Sequence, residues 1–367
     1  DFTTREDRPL TLEVWYPADN GTTSIPATYA DLTRSKQRFE LQGVAWRDAE
    51  PLKGETTFPL VVLSHGYTGS RSIMFYLAEH LASHGYVVVG IDHTDSTNAE
   101  VDFFKAPYSG FTSTLFHRAR DQQFVLDYFS TQETPFANLV DTDNAAVIGY
   151  SMGGYGALNT AGGCYQYTEA SLLQFGFTPE QAAQLMPVFN YCNAGQEKTD
   201  TRWKAVITYS AWGGEQDVHD SEALSNLPIP SLYLVGDADD ISGYSTGVKK
   251  LHQQTATKQQ DVPSYLLVYM NARHNIAAHP APKVAYNNEL DLGHYFEPSW
   301  NVEILNRINK HTNLAFLNCY VKNQATACDY LPQREDITQY RQEDGTLSDP
   351  WPGFQPRWGT GVKFYRQ

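Results

Sequence analysis

The sequence predicts an α/β fold in which a doubly wound, mostly parallel sheet carries helices on both faces. The first observation is that apolar runs such as Pro59–Gly66 and Tyr86–Asp92 are unbroken, which is typical of strands buried on both faces. The second is that helical patterns lie between these runs. The third is size: 367 residues, 41% of them hydrophobic and 19% charged, can bury a large core. Because no interdomain linker or internal repeat interrupts the pattern, we expect one domain over residues 1–367.

Local patterns in the sequence locate the individual strands and helices. Leu10–Ala18 alternates apolar and polar residues, which indicates an antiparallel strand near the sheet edge. Ser72–Gly85 has helical spacing and stops at a glycine, as the carboxyl ends of helices often do. The other predicted strands are Ala145–Tyr150, Trp203–Ala211, Pro230–Asp237 and Pro263–Asn271. The other predicted helices are Leu115–Thr131, Met152–Gly163 and Glu303–Asn323.

Residues 164–202 depart from this alternation and are predicted to be an insertion. They separate a helix from the next strand and contain a short helical piece, Phe177–Met186. Long ordered loops are often functional, so the insertion could be a lid over a pocket. A surface excursion held by a disulfide is the alternative, and the sequence leaves both open.

Charge and hydropathy exclude some classes of partner. The formal net charge is −15, and such an acidic surface repels phosphate backbones, so we expect no nucleic-acid partner. No run of eighteen apolar residues is present, and we therefore expect no transmembrane segment.

Four cysteines occur as two local pairs. This arrangement predicts the disulfides Cys164–Cys192 and Cys319–Cys328, and hence an oxidising compartment, either secreted or periplasmic. Four buried thiols are the alternative. No cysteine–histidine spacing typical of zinc appears, and we expect no metal site.

Residues 149–153 read Gly-Tyr-Ser-Met-Gly, a match to G-x-S-x-G. The match follows the predicted strand Ala145–Tyr150 and opens a predicted helix, which is the context of the nucleophile elbow in the α/β-hydrolase fold. A tight strand-to-helix turn would lift the serine hydroxyl above the strand end, and small neighbours would let other backbone pack close to it. The motif therefore predicts Ser151 as a nucleophile.

An acyl-transfer site also needs two donors for the developing oxyanion. The backbone N–H of Met152, directly after the nucleophile, is the first candidate. The second is the N–H of Tyr67, in the glycine-containing loop that follows Pro59–Gly66. His65 precedes that donor, and we expect it to order the loop by hydrogen bonding rather than to act in catalysis.

The order of catalytic groups in this fold is serine, acid, histidine, so the base should follow the last strand. His274 has that position, whereas no predicted strand fixes the place of His279 or His294. A histidine in that place is predicted to be the general base.

Three carboxylates lie at or just after the end of the strand Pro230–Asp237, namely Asp237, Asp239 and Asp240. The G-x-x-D spacing from the strand end selects Asp239 as the acid, with Asp237 as the runner-up and Asp240 pointing elsewhere on the turn. A calcium site is the other use of such a cluster, but the spacing of a calcium-binding loop is missing.

Over about residues 8–280, apart from the insertion, the chain resembles two related groups of hydrolases. The similarity is carried by residues 59–92 and by residues 145–154, AAVIGYSMGG. One group comprises the bacterial proteins known as predicted dienelactone hydrolases and includes the plasma-type platelet-activating-factor acetylhydrolases. The other contains the cutinase-like polyesterases that cleave poly(ethylene terephthalate), or PET. The resemblance implies an α/β-hydrolase fold, ester hydrolysis and no cofactor.

The chain differs from these hydrolases at positions that bear on its nucleophile and its catalytic acid. Dienelactone hydrolases use a cysteine nucleophile where this chain has Ser151, and the acetylhydrolases carry their acid in an Asp-Ala-Trp sequence that here reads Ser210-Ala211-Trp212. The resemblance to the polyesterases instead implies Asp239 as the acid, with Tyr67 and Trp212 flanking the ester. Both aromatic residues could equally line a pocket for any small ester. The insertion and the segment after residue 280 differ from the compact polyesterases.

Together these features predict a serine carboxylesterase acting on a small-molecule or polymeric ester through an acyl-enzyme. The alternatives are a polyesterase acting on aromatic polyesters such as PET or their oligomers, and a phospholipid deacylase similar to platelet-activating-factor acetylhydrolase. A hydrolase-fold binding protein is the non-enzymatic alternative, but such proteins usually lack a member of the triad.

Overall fold

The structure of the protein is a computed structural model. It describes residues 7–19, 25–52, 54, 56–131, 134–189, 199–219, 222–225, 227–255, 262–338, 340–348, 351–354 and 357–367.

Among the described residues, eight strands form one sheet in the order β1-β5-β4-β6-β7-β8-β9-β10. Their bounds are Thr11–Trp15 (β1), Phe58–Ser64 (β4), Val87–Asp92 (β5), Val140–Tyr150 (β6), Trp203–Tyr209 (β7), Ser231–Gly236 (β8), Ser264–Tyr269 (β9) and Val362–Arg366 (β10). The six central strands are parallel, while β1 and β10 run antiparallel to β5 and β9 at the two edges. This is the α/β-hydrolase architecture, with the early antiparallel edge strand that the sequence predicted.

Helices cover both faces of this sheet. They span Phe75–Ser83 (α1), Phe111–Phe129 (α2), Met152–Thr160 (α3), Glu169–Gln174 (α4), Pro179–Phe189 (α5), Lys249–Thr255 (α6), Glu289–Leu292 (α7) and Val302–Tyr320 (α8). Alternate residues of one strand serve the two faces: Val61 and Leu63 of β4 pack in the core with α1 and α8, whereas Leu60 and Val62 pack with α2. Strands buried on both sides explain the unbroken apolar runs of the sequence.

Two features were not predicted from the sequence. The strands β2 (Ile25–Leu32) and β3 (Arg38–Arg47) form a separate antiparallel hairpin, and β10 extends the main sheet near the end of the chain. The hairpin is attached to α1 because the buried carboxylate of Glu79 accepts hydrogen bonds from the backbone N–H groups of Val44 and Ala45. The turn of this hairpin lies beside the candidate site described next.

Candidate active site

Ser151 lies at the junction of β6 and α3. Its backbone has φ 54° and ψ −114°, which a residue with a β-carbon rarely adopts. The turn is tight: a β-carbon added to Gly149 would lie 2.1 Å from the carbonyl oxygen of Gly153. One added to Gly153 would lie 2.1 Å from the carbonyl oxygen of Ser64. These close approaches explain why the elbow has glycine on both sides of the serine.

The strained turn is held by backbone hydrogen bonds to the neighbouring strand. The N–H of Ser151 donates to the carbonyl of Tyr209 at 2.8 Å, and its own carbonyl accepts from the N–H of Trp212 at 3.1 Å. The sheet therefore fixes the serine where its side chain reaches the end of the parallel strands, the usual place of ligand sites in α/β proteins.

His274 and Asp239 meet above the ends of the adjacent strands β9 and β8. The Nδ1 of His274 lies 2.9 Å from Oδ1 and 3.1 Å from Oδ2 of Asp239. Asp239 Oδ1 also accepts the backbone N–H groups of Ile241 at 3.0 Å and Ser242 at 2.9 Å. A carboxylate held in this way fixes the imidazole with a proton on Nδ1, so that Nε2 can act as a base.

The environment of Asp239 keeps its carboxylate ionised. Burial alone would raise the pKa of Asp239, but the charge and hydrogen bond of His274 and the two backbone N–H groups lower it below its ordinary value. Its two neighbours are used elsewhere: Asp237 accepts the backbone N–H of Asn271, and Asp240 pairs with Arg273. Of the three carboxylates, the structure brings only Asp239 to His274.

The proposed catalytic groups open into one cavity of about 1000 Å³. Ser151, His274, Met152, Tyr67 and Trp212 all line it. The structure thus brings together every site residue that the sequence selected, except that Asp239 lies behind His274 and does not itself line the cavity.

The two candidate oxyanion donors come from two segments next to Ser151. Met152 is the first residue of α3, so its N–H belongs to the group of helix N-terminal donors without a partner inside the helix. The loop after β4 also approaches closely: a β-carbon added to Gly66 would lie 3.0 Å from the Cβ of Ser151 and 3.6 Å from its Oγ. Tyr67 follows Gly66 directly, which places its backbone beside the nucleophile.

A buried polar network lies beneath this loop. Ser64 Oγ is 2.7 Å from His93 Nε2, and His93 Nδ1 is 2.8 Å from Asp121 Oδ2. All three side chains are buried. The pKa of His93 is lowered to about 3, mainly by burial; the charge of Arg118 also lowers it, whereas the hydrogen bond and the charge of Asp121 act to raise it. His93 is therefore neutral, and it donates from Nδ1 to Asp121 while accepting from Ser64 at Nε2.

His65 connects the network to the oxyanion loop. Its Nε2 accepts the backbone N–H of His93 at 3.1 Å, so its Nδ1 carries the proton and donates to the carbonyl of Gly66 at 2.6 Å. The buried guanidinium of Arg118 donates to the same carbonyl at 3.3 Å. His65 therefore orders the loop, as the sequence led us to expect.

An aromatic wall, defined as Tyr67, Phe111, Phe175 and Trp212, borders the cavity. Phe111 makes edge-to-face contacts with Trp212, with ring centroids 5.5 Å apart, and with Tyr67 at 5.7 Å. Phe175 lies 5.7 Å from Trp212. The sequence pointed to Tyr67 and Trp212 but missed the other two rings. Phe175 comes from the predicted insertion, and no motif marks it.

The insertion contributes to the cavity in its described part. It contains α4, which was not predicted, and α5, which overlaps the predicted helical piece. Gln174, Phe175 and Gly176 line the cavity. The described part of residues 164–202 therefore covers one side of the site.

The predicted disulfide Cys319–Cys328 is present. Cys164 is also disulfide-bonded, but its predicted partner Cys192 lies outside the described residues. Within the described ranges, every helix is too short or too polar to span a lipid bilayer.

Comparison with known proteins relates the chain to ester hydrolases. A family model described as PET hydrolase-like matches residues 49–167. Cutinase est1 of Thermobifida alba is 39% identical over 106 residues, which are 29% of this chain and 31% of the cutinase. Cutinase 1 of Thermobifida cellulosilytica is 31% identical over 196 residues, 53% of each chain. The chain thus spans less than two thirds of the length of these relatives.

Two further similarities agree with this relationship. A platelet-activating factor acetylhydrolase of Cavia porcellus is 35% identical over 71 residues, 18% of this chain and 16% of that protein. Among solved structures, a ferulic acid esterase from Streptomyces cinnamoneus superposes with a TM-score of 0.56 at 17% identity, covering 86% of this chain and 84% of the other. At that identity the superposition shows the α/β-hydrolase fold.

Proposed function

We propose that the chain is a serine carboxylesterase that hydrolyses carboxylic esters through an acyl-enzyme. The observation that carries the proposal is the placement of Ser151, on a strained elbow, in the same cavity as His274, whose Nδ1 is held 2.9 Å from Asp239. The match to the PET hydrolase-like family model, whose residues 49–167 include the oxyanion loop and the elbow, supports it, as does the similarity to cutinases.

In the first half-reaction Ser151 Oγ attacks the ester carbonyl while His274 Nε2 takes its proton. The negative charge of the tetrahedral intermediate falls on the carbonyl oxygen, which accepts hydrogen bonds from the N–H groups of Met152 and Tyr67. Each such donor is worth about 10²- to 10³-fold in rate. His274 then protonates the leaving alkoxide, and the alcohol departs from the acyl-Ser151 ester.

In the second half-reaction His274 removes a proton from water, and the resulting hydroxide equivalent attacks the acyl-enzyme. Collapse of the second tetrahedral intermediate returns the proton from His274 to Ser151 Oγ and releases the carboxylic acid. Asp239 stays ionised throughout and stabilises the transient imidazolium. No step requires a cofactor.

A polyesterase acting on aromatic polyesters or their oligomers is the second candidate. The aromatic wall favours it, because flat rings pack edge-to-face or offset against aromatic side chains. The described part of the insertion narrows one side of the cavity, which favours oligomers over a long polymer chain. A phospholipid deacylase has less support, because the similarity to the acetylhydrolase covers 18% of this chain.

The compartment and the domain organisation belong to the same proposal. The disulfide Cys319–Cys328 supports an oxidising environment, secreted or periplasmic. A single domain over residues 1–367, with the insertion at 164–202 as a lid-like cover, is supported by the continuity of the sheet, whose edge strands are β1 and β10.

Hydrolysis of a p-nitrophenyl ester series tests the proposal. The series runs from acetate to long acyl chains and includes the benzoate, with wild type and Ser151→Ala compared side by side. We expect clear turnover by wild type and a loss of at least about 10⁴-fold in kcat/KM for the variant. A benzoate rate that matches or exceeds the acetate rate would favour the aromatic substrates. Absence of wild-type turnover on every ester would overturn the proposal and favour the binding-protein alternative.

A further inference from the structure

Arg34 lines the catalytic cavity although it belongs to none of the groups described above. It lies in the turn between β2 and β3, and its Nε is buried without a hydrogen-bond partner among the described residues. The guanidinium carbon lies 4.6 Å from the centre of the Phe103 ring, another residue of the cavity lining. The Arg34 side chain is half-buried, and it forms no ion pair with a carboxylate among the described residues. A guanidinium that borders a cavity without an ion-pair partner is a candidate group for binding an anionic ligand.

The turn is fixed on one side by Asp291. The buried Asp291 carboxylate accepts the hydroxyl and the backbone N–H of Ser35, the latter at 2.7 Å, and the hydroxyl of Thr33 at 2.8 Å. It also accepts the side-chain amide of Asn288 at 2.8 Å. Four donors occupy the acceptor sites of a carboxylate. Asp291 therefore anchors the residues on both sides of Arg34 without hydrogen-bonding Arg34 itself.

Lys36 fixes the turn on the other side. Its ammonium donates to the backbone carbonyls of Asn98, of Ala99 at 3.2 Å and of Val101 at 2.6 Å. The turn is thereby attached to two separate parts of the main domain. Arg34 is held at the cavity by a rigid support, which is the condition for an effective binding group.

The other charged and polar groups of the cavity leave Arg34 available. Arg273 pairs with Asp240 at the rim, and Glu289 lies on an exposed helical turn. His294 lines the same cavity, and its Nε2 is also buried without a partner among the described residues. Burial lowers the pKa of His294 well below its ordinary value, and the charge of Arg34 lowers it further. His294 is thus a neutral imidazole that can donate one hydrogen bond from Nε2.

We propose that Arg34, assisted by His294, forms an anion subsite of the catalytic cavity that binds a carboxylate or phosphate group carried by the ester substrate. The inference rests on the proposed esterase function and specifies its substrates: esters with a free anionic group at a distance from the scissile carbonyl. Arginine suits this role because its planar donors match the oxygens of either anion. The anion belongs to either the acid half or the alcohol half of the ester, and the test distinguishes these two positions.

Matched pairs of esters provide the test. Monomethyl adipate against dimethyl adipate places a carboxylate on the acid half, and 2-acetoxyethyl phosphate against 2-acetoxyethanol places a phosphate on the alcohol half. Initial rates are measured for wild type, Arg34→Gln and the control Arg38→Gln. Arg38 is an exposed arginine on the same hairpin and outside the cavity lining, so both variants remove one positive charge.

We expect Arg34→Gln to lower kcat/KM for the anionic member of one pair by about 10- to 100-fold, since it removes a charge-assisted hydrogen bond. The neutral members should change by less than about threefold, and Arg38→Gln should leave both pairs within about twofold. The affected pair identifies the half of the ester that carries the anion. An equal loss on anionic and neutral esters, or no loss on either anionic ester, would overturn the subsite.

A binding measurement separates failure of the subsite from failure of the esterase proposal. Calorimetric titration of wild type with adipate and with the isosteric adipamide needs neither turnover nor a folded variant. Tighter binding of adipate, by about tenfold or more, supports the subsite even if no ester is hydrolysed. Equal binding of the two compounds would contradict it even if neutral esters are turned over.

Discussion

The chain contains two arrangements of serine, histidine and aspartate with similar hydrogen-bond distances. In one, His274 Nδ1 lies 2.9 Å from Asp239, and Ser151 lines the same cavity as the imidazole. In the other, His93 Nδ1 lies 2.8 Å from Asp121 and its Nε2 lies 2.7 Å from Ser64 Oγ. Only the first is a candidate for catalysis, although the second has the more complete set of hydrogen bonds.

The two arrangements differ in whether the serine reaches a cavity and in which charged groups surround the histidine. Ser64 is the last residue of β4, whereas Ser151 projects from a turn with positive φ at the floor of a cavity. Asp121 also pairs with Arg8 at 3.0 Å, and Arg118 adds a second positive charge nearby. His93 is therefore held neutral and cannot accept a proton at neutral pH. The same three residue types can serve as a support for the oxyanion loop or as reactive groups, depending on burial and neighbouring charge.

Replacement of the aspartate in each arrangement by asparagine should have the largest effect. The effect should fall on kcat in one arrangement and on the free energy of unfolding in the other. Asp239→Asn should lower kcat by about 10⁴-fold, because the imidazole of His274 loses the carboxylate that selects its tautomer and stabilises its cation. Asp121→Asn should instead lower the free energy of unfolding by about 3 kcal/mol, because it leaves buried positive charge unbalanced. Steady-state rates on a p-nitrophenyl ester and denaturant unfolding measure the two effects.

Asp237→Asn is the matched control, because that carboxylate follows the same strand but accepts only from the backbone of Asn271 among the described residues. It should retain kcat within about threefold. A loss for Asp121→Asn or Asp237→Asn as large as that for Asp239→Asn would show that the acid has been assigned to the wrong residue.

The buried arrangement also predicts how stability depends on pH. The pKa of His93 falls from about 6.5 in the unfolded chain to about 3 in the folded protein, so the unfolded state binds an extra proton between these values. Stability is therefore lost as pH falls below about 6.5 towards about 3. In His93→Gln the slope of unfolding free energy against pH in this window should decrease by up to about 1.4 kcal/mol per pH unit.

Urea unfolding at a series of pH values checks this slope. An unchanged slope in His93→Gln would mean that His93 is protonated in the folded state, which contradicts its role as a neutral link between Asp121 and Ser64.

The placement of Ser151, Asp239 and His274 at one edge of the sheet was predictable, because each residue lies shortly after the end of a parallel strand. Ser151 lies in a motif with a strand before it and a helix after it, and Asp239 and His274 are placed by the ends of β8 and β9. Parallel strands bring their carboxyl ends to one edge of the sheet, so sequence order translates directly into proximity. The alternation of Leu10–Ala18 likewise predicted the antiparallel edge strand.

The supporting arrangement and the hairpin could not be predicted in the same way. Ser64 lies in β4, His93 directly follows β5 and Asp121 lies in α2, and no local pattern links residues that are 29 and 28 positions apart. Residues 38–42, RFELQ, alternate polar and apolar side chains, which was a usable signal for β3, but nothing in the sequence indicates that its turn docks on Asp291. The position of Arg34 at the cavity depends on that tertiary contact and is visible only in the folded chain.

The assignment of Ser151, and not Ser64, as the nucleophile can be tested by covalent labelling with a fluorophosphonate. This reagent reports which serine is nucleophilic without assuming a substrate. Peptide mass spectrometry after labelling would compare wild type, Ser151→Ala and Ser64→Ala. We expect one label per chain on Ser151 in wild type, no label in Ser151→Ala, and full labelling in Ser64→Ala. Persistent labelling of Ser151→Ala, a label on Ser64, or an unlabelled but folded wild type would contradict it.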